Sequence, residues 1–211
     1  MTNVAQHPSP DLAALMLRDI GAELARRVSN RLPGLGDAYE RRVVLVADAE
    51  TASGTALGSF TSPAWRIQGR SFDKIAVALA HPLYRLPDGT IDAERVLATL
   101  AHEIAHLYTD EIGISGTIAP DHIGHTEDFA LVAIRLGLSI LRRPNTPTRI
   151  FTPGLADYGR AEFRDLIYRI ACAGLHTASG IQLAGPVGFT GRLAPARVAA
   201  ASIPTDPSTS D

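Results

Sequence analysis

The stretch from Ala98 to Leu138, ATLAHEIAHLYTDEIGISGTIAPDHIGHTEDFALVAIRLGL, decides how the chain folds. Its first part completes an apolar stripe that recurs at helical spacing and predicts a helix with one buried face. The stripe consists of Val96, Leu97, Leu100, Ile104 and Leu107. Asp92 is placed to cap the start of this helix, and Gly113 is predicted to end or follow it. Further on, Thr126 precedes two acidic residues and is predicted to cap a second helix.

Two histidines lie four residues apart on the first of these helices. His102 and His106 enclose Glu103 in the pattern HExxH, and residues at this spacing lie one above the other on a helix. Both imidazoles can therefore reach one Zn²⁺, at roughly 2.0 to 2.1 Å. Glu103 is rotated around the helix, where it can approach the open position of the ion without ligating it. The pattern predicts a zinc-activated water with Glu103 as its general base.

A catalytic zinc of this type takes three protein ligands and leaves one position for water. The candidates for the third ligand are His122, His125 and Glu127. We favour His125, because it follows Gly124 and directly precedes the second helix, so the backbone can turn its imidazole back towards the first. Glu127 would instead complete a site of two histidines and one glutamate, and it remains the alternative.

The rest of the chain predicts a single α+β domain. Strands are expected at 42–48, around Phe60, at 65–67 and at 73–80, and further helices at 9–31 and 160–173. The strand at 73–80 is expected to lie nearest the chemistry. A small sheet would pack against the HExxH helix and the N-terminal helix. The domain is assigned to 9–174, preceded by a disordered leader at 1–8 and followed by a loosely attached tail at 175–211, rich in Gly, Pro and Ala.

Composition narrows the classes of protein to consider. Of the 211 residues, 45% are hydrophobic and 20% are charged, which is typical of a globular protein. A net charge of −2 leaves no overall positive field to attract nucleic acid. Cys172 is the only cysteine, so neither an internal disulfide nor a cysteine-built zinc site is expected. Without an apolar run of about 18 residues or a secretory signal, we expect a cytoplasmic protein with no membrane partner.

From the strand DKIAVALAHPLYR through VLATLAHEIAH to GHTEDF, the chain resembles the SprT-like family of zinc metallopeptidases. This family includes the bacterial SprT proteins and the eukaryotic DNA-protein crosslink protease Spartan. Its members show HExxH followed by a Gly-His-x-x-x-Phe element, which residues 124–129 match. The resemblance implies a zincin-like fold, one Zn²⁺ per chain held by His102, His106 and His125, Glu103 as catalytic base, and Phe129 as a packing residue. It also implies a protein or peptide substrate.

The chain departs from the family at two places. Several members carry a zinc ribbon with cysteine ligands, which Cys172 alone cannot build, and the residue after the third histidine is often glycine, whereas here it is Thr126. The loop from Gly113 to Gly124 also differs from that of the DNA-repair members. Association with DNA is therefore implied by the resemblance but is not supported by the net charge.

Three functions are compatible with these residues. The first is a zinc metallopeptidase that hydrolyses peptide bonds with Glu103 as base. The second is a non-catalytic zinc-binding module that serves stability or holds a partner. The third is a regulatory peptidase that cleaves one repressor-like protein and leaves general substrates intact.

Overall fold

The computed structural model describes residues 10–48, 56–118, 124–173 and 182–184. Within these ranges the helices are α1 (Pro10–Arg27), α2 (Leu35–Arg42), α3 (Ala93–Glu111), α4 (Glu127–Arg135), α5 (Asp157–Glu162) and α6 (Arg164–Cys172), with a 3₁₀ turn at Pro82–Tyr84. The strands are β1 (Val43–Asp48), β2 (Gly58–Ile67), β3 (Arg70–Ala78), β4 (Leu141–Arg143), β5 (Thr146–Phe151) and β6 (Gln182–Ala184). The predicted leader and most of the predicted tail lie outside the described residues.

The larger sheet has the strand order β2-β3-β1-β6. The central pair β1 and β3 is parallel, whereas β2 and β6 run antiparallel to their neighbours. Strand β6 comes from the segment assigned to the tail, and its Leu183 lies opposite Val46 of β1. Strands β4 and β5 form a separate two-stranded sheet. The mixture of helices with two small sheets confirms the predicted α+β class.

Helices α1 and α3 pack with the larger sheet around one hydrophobic core. Alternate residues of β1 and β3 point into it, including Leu45 and Ile75, which are paired across the two strands. From α1, the core receives residues at the predicted helical spacing, among them Ile20 and Leu24. Burying a side chain of this size stabilises a fold by about 1.5 to 3 kcal/mol. The core thus holds α3 firmly across the sheet.

Helix α3 follows the prediction closely at both ends. Asp92 caps it by accepting a hydrogen bond from the Arg95 backbone N–H at 3.0 Å. The helix ends at Glu111, just before Gly113, whose positive φ of 72° favours glycine. The predicted stripe is buried along its whole length. The HExxH residues therefore lie on a long helix that is anchored on both sides of them.

Several elements differ from those predicted. Helix α1 ends at Arg27 rather than near residue 31, and α2 and the β4–β5 hairpin were not predicted. The helix predicted at 160–173 is two helices, which meet at Phe163. The break coincides with a close approach of backbones, because a Cβ on Gly159 would lie 2.2 Å from the Gly137 carbonyl oxygen. Tertiary packing of this kind overrides a continuous helical pattern.

A cluster of ion pairs around Arg42 joins the C-terminal end of α3 to α2 and the sheet. The Arg42 guanidinium lies 2.7 Å from the buried Asp73 carboxylate at the start of the parallel pairing and 2.6 Å from Asp110. It also pairs with Glu111. Asp110 accepts a further hydrogen bond from the Ser62 hydroxyl of β2, at 3.1 Å. One side chain thus connects α2 with β3 and the last turn of α3.

Substituting Arg42 by Ala is expected to destabilise the protein by about 2 to 4 kcal/mol, because it leaves the Asp73 carboxylate buried without its cation. Urea denaturation of the metal-free protein measures this loss. Arg41→Ala is the matched control: Arg41 is largely exposed and its nearest contact to Glu111 is 3.5 Å, so its loss should stay within about 0.5 kcal/mol. Equal losses in the two variants would contradict a structural role for the Arg42 cluster.

Candidate metal centre

Three histidines from two parts of the chain meet in one cluster. His102 and His106 lie one turn apart on α3, and His125 directly precedes the N-cap of α4. One ring nitrogen from each lies within 4.8 Å of the others. The Nε2 atoms of His106 and His125 are 3.2 Å apart, close to the roughly 3.3 Å between two ligands of a tetrahedral zinc with bonds of about 2.05 Å. The three side chains are close enough to bind one metal ion.

The local backbone explains how His125 reaches the other two histidines. Gly124 adopts a positive φ of 83°, which turns the chain just before His125. The His125 backbone then exchanges two hydrogen bonds with Ile150 of β5, at 3.0 and 3.3 Å. Thr126 caps α4 as predicted, since its hydroxyl accepts from the Phe129 N–H at 3.2 Å. His125 is thereby held between a helix N-terminus and a strand.

The Nδ1 atoms of His102 and His125 each have a hydrogen-bond partner, which leaves the Nε2 atoms of these residues free to bind a metal ion. The His125 Nδ1 lies 3.1 Å from the Ile150 carbonyl oxygen, which only accepts, so this nitrogen carries the proton. The His102 Nδ1 lies 2.6 Å from the Thr152 hydroxyl, to which it donates when Nε2 is the ligand. Metal-ligating histidines ordinarily have such partners, which fix the tautomer and the ring orientation. The donor set therefore fits a metal ion.

Phe129 forms the floor of the cluster. Its ring is fully buried and stacks on His125, with ring centroids 4.0 Å apart and planes 22° from parallel. It also lies 4.6 Å from the centroid of His106 and 5.2 Å from that of His102. All three imidazoles thus contact one apolar ring, which restricts their rotation and shields them from water on that side.

Burial keeps the three imidazoles uncharged. It lowers the pKa of His106 to about 3, with a smaller contribution from the neighbouring His125. The pKa of His102 is also well below its ordinary value, through burial and then through its two neighbours. Burial lowers the pKa of His125 as well, although the Ile150 carbonyl opposes the shift. Neutral imidazole is the form that binds metal, so the cluster is in its binding form at neutral pH.

Glu103 lies beside the cluster and is 5% exposed. Burial raises the pKa of its carboxyl to about 8. A divalent cation at the histidines would oppose this shift, because a nearby positive charge favours the carboxylate. The side chain fits closely against β2: a Cβ on Gly58 would lie 2.7 Å from Glu103 Oε1 and 2.6 Å from a methyl group of Thr99. Glycine at position 58 thus leaves the space that this carboxyl occupies.

A cleft of about 270 Å³ opens beside these groups. His102 and Glu103 lie at its base, together with Thr99 of the preceding turn. One wall is the start of β2, including Gly58, and the other is the segment that follows β5, at residues 152–154. The expectation that the strand at 73–80 lies nearest the chemistry is therefore wrong. That strand is interior to the sheet, and the edge strand β2 separates it from the cleft.

Of the other candidate ligands, Glu127 does not join the cluster. Glu127 is exposed in the first turn of α4 and pairs with Arg142 at 2.7 Å. His122 lies outside the described residues. Sequence reasoning missed Thr152, since nothing in its local pattern predicts a contact with a helix fifty residues earlier.

Comparison of the chain with protein-family models, curated proteins and solved structures finds no match. Within the described residues, no helix is long and apolar enough to cross a membrane.

The purified protein is expected to bind one Zn²⁺ per chain, measured by elemental analysis after dialysis against a metal-free buffer. His125→Ala removes one of three ligands and should abolish stoichiometric binding. Glu127→Ala is the control, because its carboxylate is committed to Arg142 at the surface, and it should retain the metal. Loss of zinc in Glu127→Ala with retention in His125→Ala would instead establish the site of two histidines and one glutamate.

In the metal-free protein, the contribution of Glu103 to the free energy of unfolding is expected to fall as the pH rises from 6.5 to 8. The folded chain holds the Glu103 proton up to a pKa of about 8, whereas the unfolded chain releases it near the ordinary value of 4.5. The folded state therefore binds more protons in this window, and linkage removes up to about 1.4 kcal/mol of stability per pH unit. Urea denaturation in the presence of a chelator measures this slope.

The histidines act in the opposite direction, and in a lower pH range. Their folded pKa values lie below the ordinary 6.5, so the stability they contribute is lost as the pH falls below that value. Because unfolded histidines are still partly protonated at pH 6.5, the difference in slope between wild type and the Glu103→Gln variant isolates Glu103. Between pH 6.5 and 8, the free energy of unfolding of wild type should decline relative to that of Glu103→Gln, and equal slopes in the two proteins would contradict the raised pKa of Glu103.

Proposed function

We propose that this chain is a zinc-dependent metallopeptidase with a zincin-like domain, in which Glu103 is the general base for hydrolysis of peptide bonds. The observation that carries the proposal is a buried carboxyl that lines a cleft together with His102, one of three clustered neutral imidazoles. The resemblance of HExxH and GHTEDF to the SprT-like family supports the same reaction. A protein or peptide is the proposed substrate, and DNA association remains a prediction of that resemblance.

The ligand set supports zinc in a catalytic rather than a structural role. Structural zinc sites are usually closed by four protein ligands, whereas catalytic sites have three and keep a position open. Among the described residues, the cluster contains three histidines and no fourth His, Cys, Asp or Glu. The adjoining cleft gives a substrate access to the side where Glu103 lies. These features favour an enzyme over a stabilising zinc module.

The chemistry that a bound Zn²⁺ supplies at such a site is Lewis acidity, which lowers the pKa of water and polarises a carbonyl oxygen. Glu103 accepts the proton that the attacking water loses as its oxygen bonds to the peptide carbonyl carbon. The carboxyl then donates this proton to the amide nitrogen as the C–N bond breaks, which yields one carboxylic acid and one amine. Glycine at position 58 leaves the space that the carboxyl needs for these two transfers.

The histidines and their neighbours maintain the geometry of this reaction. The Thr152 hydroxyl orients His102 through its Nδ1 atom, and the Ile150 carbonyl orients His125 in the same way. Phe129 is fully buried and packs against all three rings, which excludes water from that side of the cluster. A positioned base of this kind contributes roughly 10² to 10⁴-fold to the rate, provided that its geometry is preserved.

Glu103→Gln is expected to reduce proteolysis at least 100-fold while retaining zinc, because the amide keeps the shape of the side chain but cannot take up the proton. The assay digests denatured proteins and a proteome-derived peptide pool, with cleavage followed by mass spectrometry. Glu127→Gln, altered at an exposed glutamate, is the control and should cleave at the wild-type rate. Undiminished cleavage by zinc-loaded Glu103→Gln would exclude Glu103 as the base.

A further inference from the structure

The cleft at the candidate metal centre continues along the N-terminal turns of α3. A second depression of about 200 Å³ shares Arg95, Ala98, Pro153 and Gly154 with the cleft. A third, of about 530 Å³, shares Pro153 and Gly154 and reaches Arg160 on α5. Together they form a groove between α3 and residues 153–154, with His102 and Glu103 at one end. Its extent suits an elongated ligand better than a compact one.

Arg95 is the only lysine or arginine among the described residues that line the cleft itself. Asp92 positions it, because its carboxylate lies 3.2 Å from the Arg95 Nε and also accepts from the Arg95 backbone N–H. Within the described parts of the chain, neither terminal guanidinium nitrogen has a hydrogen-bond or ion-pair partner. These two nitrogens are the fork that binds a carboxylate in bidentate fashion.

The other arginine of the groove already has carboxylate partners. Arg160, at the far end, lies 2.9 Å from Glu94 and also pairs with Asp157. Among the described residues that line the cleft, Glu103 provides the only carboxyl, and it has its own role in the proposed reaction. Among the described residues that line the groove, Arg95 is therefore the cation with spare hydrogen-bonding capacity.

The helix sets the distance between this cation and the site of reaction. Arg95 precedes His102 by seven residues, so their Cα atoms are separated by about 10 Å along the helix axis at a rise of about 1.5 Å per residue. An extended peptide advances about 3.3 Å per residue. A substrate carboxylate at Arg95 would thus belong to a residue about three positions from the bond at the metal centre.

We propose that Arg95 determines specificity by binding a substrate carboxylate about three residues from the cleaved bond, which gives the enzyme a preference for acidic peptides. The inference rests on the proposed peptidase function and names the substrate class of the same groove. The carboxylate belongs either to an Asp or Glu side chain or to the C-terminus of the substrate. A charge-assisted contact at a partly exposed arginine is worth a preference of about 5- to 10-fold.

The test is the cleavage profile of the zinc-loaded protein on a proteome-derived peptide pool. In wild type, Asp and Glu should be enriched about 5-fold at one position close to three residues from the cut. Arg95→Ala should remove this enrichment, and Arg95→Glu should replace it with Lys and Arg. Arg164→Glu, a charge reversal at an exposed arginine of α6 outside the groove, should keep the wild-type profile. An unchanged profile in Arg95→Glu would overturn the proposal.

The two sources of a carboxylate give different patterns. Recognition of side chains produces cuts at internal acidic residues at any distance from the peptide end. Recognition of a C-terminus produces cuts at a fixed distance from the end, and amidation of synthetic substrates abolishes them. Either pattern, if it is lost in Arg95→Ala, supports the proposal.

A binding measurement separates this inference from the proposed function. Zinc-loaded Glu103→Gln protein is titrated with two pools of dye-labelled random decapeptides that differ only in carrying Glu or Gln at one fixed position, with binding followed by fluorescence anisotropy. The Glu pool should bind about 5-fold more tightly, and adding Arg95→Ala should remove the difference. If wild type cleaves nothing but this difference is found, the peptidase function fails and the carboxylate site stands. If wild type cleaves but both pools bind equally, the carboxylate site fails alone.

Discussion

The contact between the Nε2 atoms of His106 and His125 is the constraint on which the site depends. At 3.2 Å, inside the protein, these two nitrogens could not both carry a proton without strong repulsion. Their approach requires α3 to be held in register across the sheet and the chain around residue 125 to be held against β5. The hydrophobic core and the backbone hydrogen bonds between His125 and Ile150 of β5 therefore both determine this distance. Each of the other site groups is positioned relative to these two rings.

Much of this arrangement could be predicted because its determinants are local. The apolar stripe of α3, the capping side chains of Asp92 and Thr126, and the i, i+4 spacing of the first two histidines all follow from helix geometry. The choice of His125 rested on a glycine that could turn the chain. The structure brings this residue to the other histidines, whereas Glu127 points to an arginine at the surface.

The features that could not be predicted arise from contacts between distant segments. Thr152 reaches His102 across fifty residues, and Gly58 matters only because the edge strand approaches Glu103. The three residues of β6 are too few to show the alternation that predicts a strand. At Phe163, a single helical periodicity spans two helices that the packing of Gly137 against Gly159 keeps apart. In each case a contact with a distant segment, rather than the local sequence, determines the arrangement.

The segment after β5 has two roles at once. Thr152 contacts an imidazole of the candidate metal centre, and the next two residues, Pro153 and Gly154, form a wall of the groove. A ligand that presses on this wall also acts on the hydrogen bond that orients His102. If this chain binds both a groove ligand and a metal ion, the two binding equilibria are linked: any factor by which one changes the affinity of the other applies equally in reverse. The affinity of the histidine cluster for a metal ion would then differ between the free groove and the occupied groove.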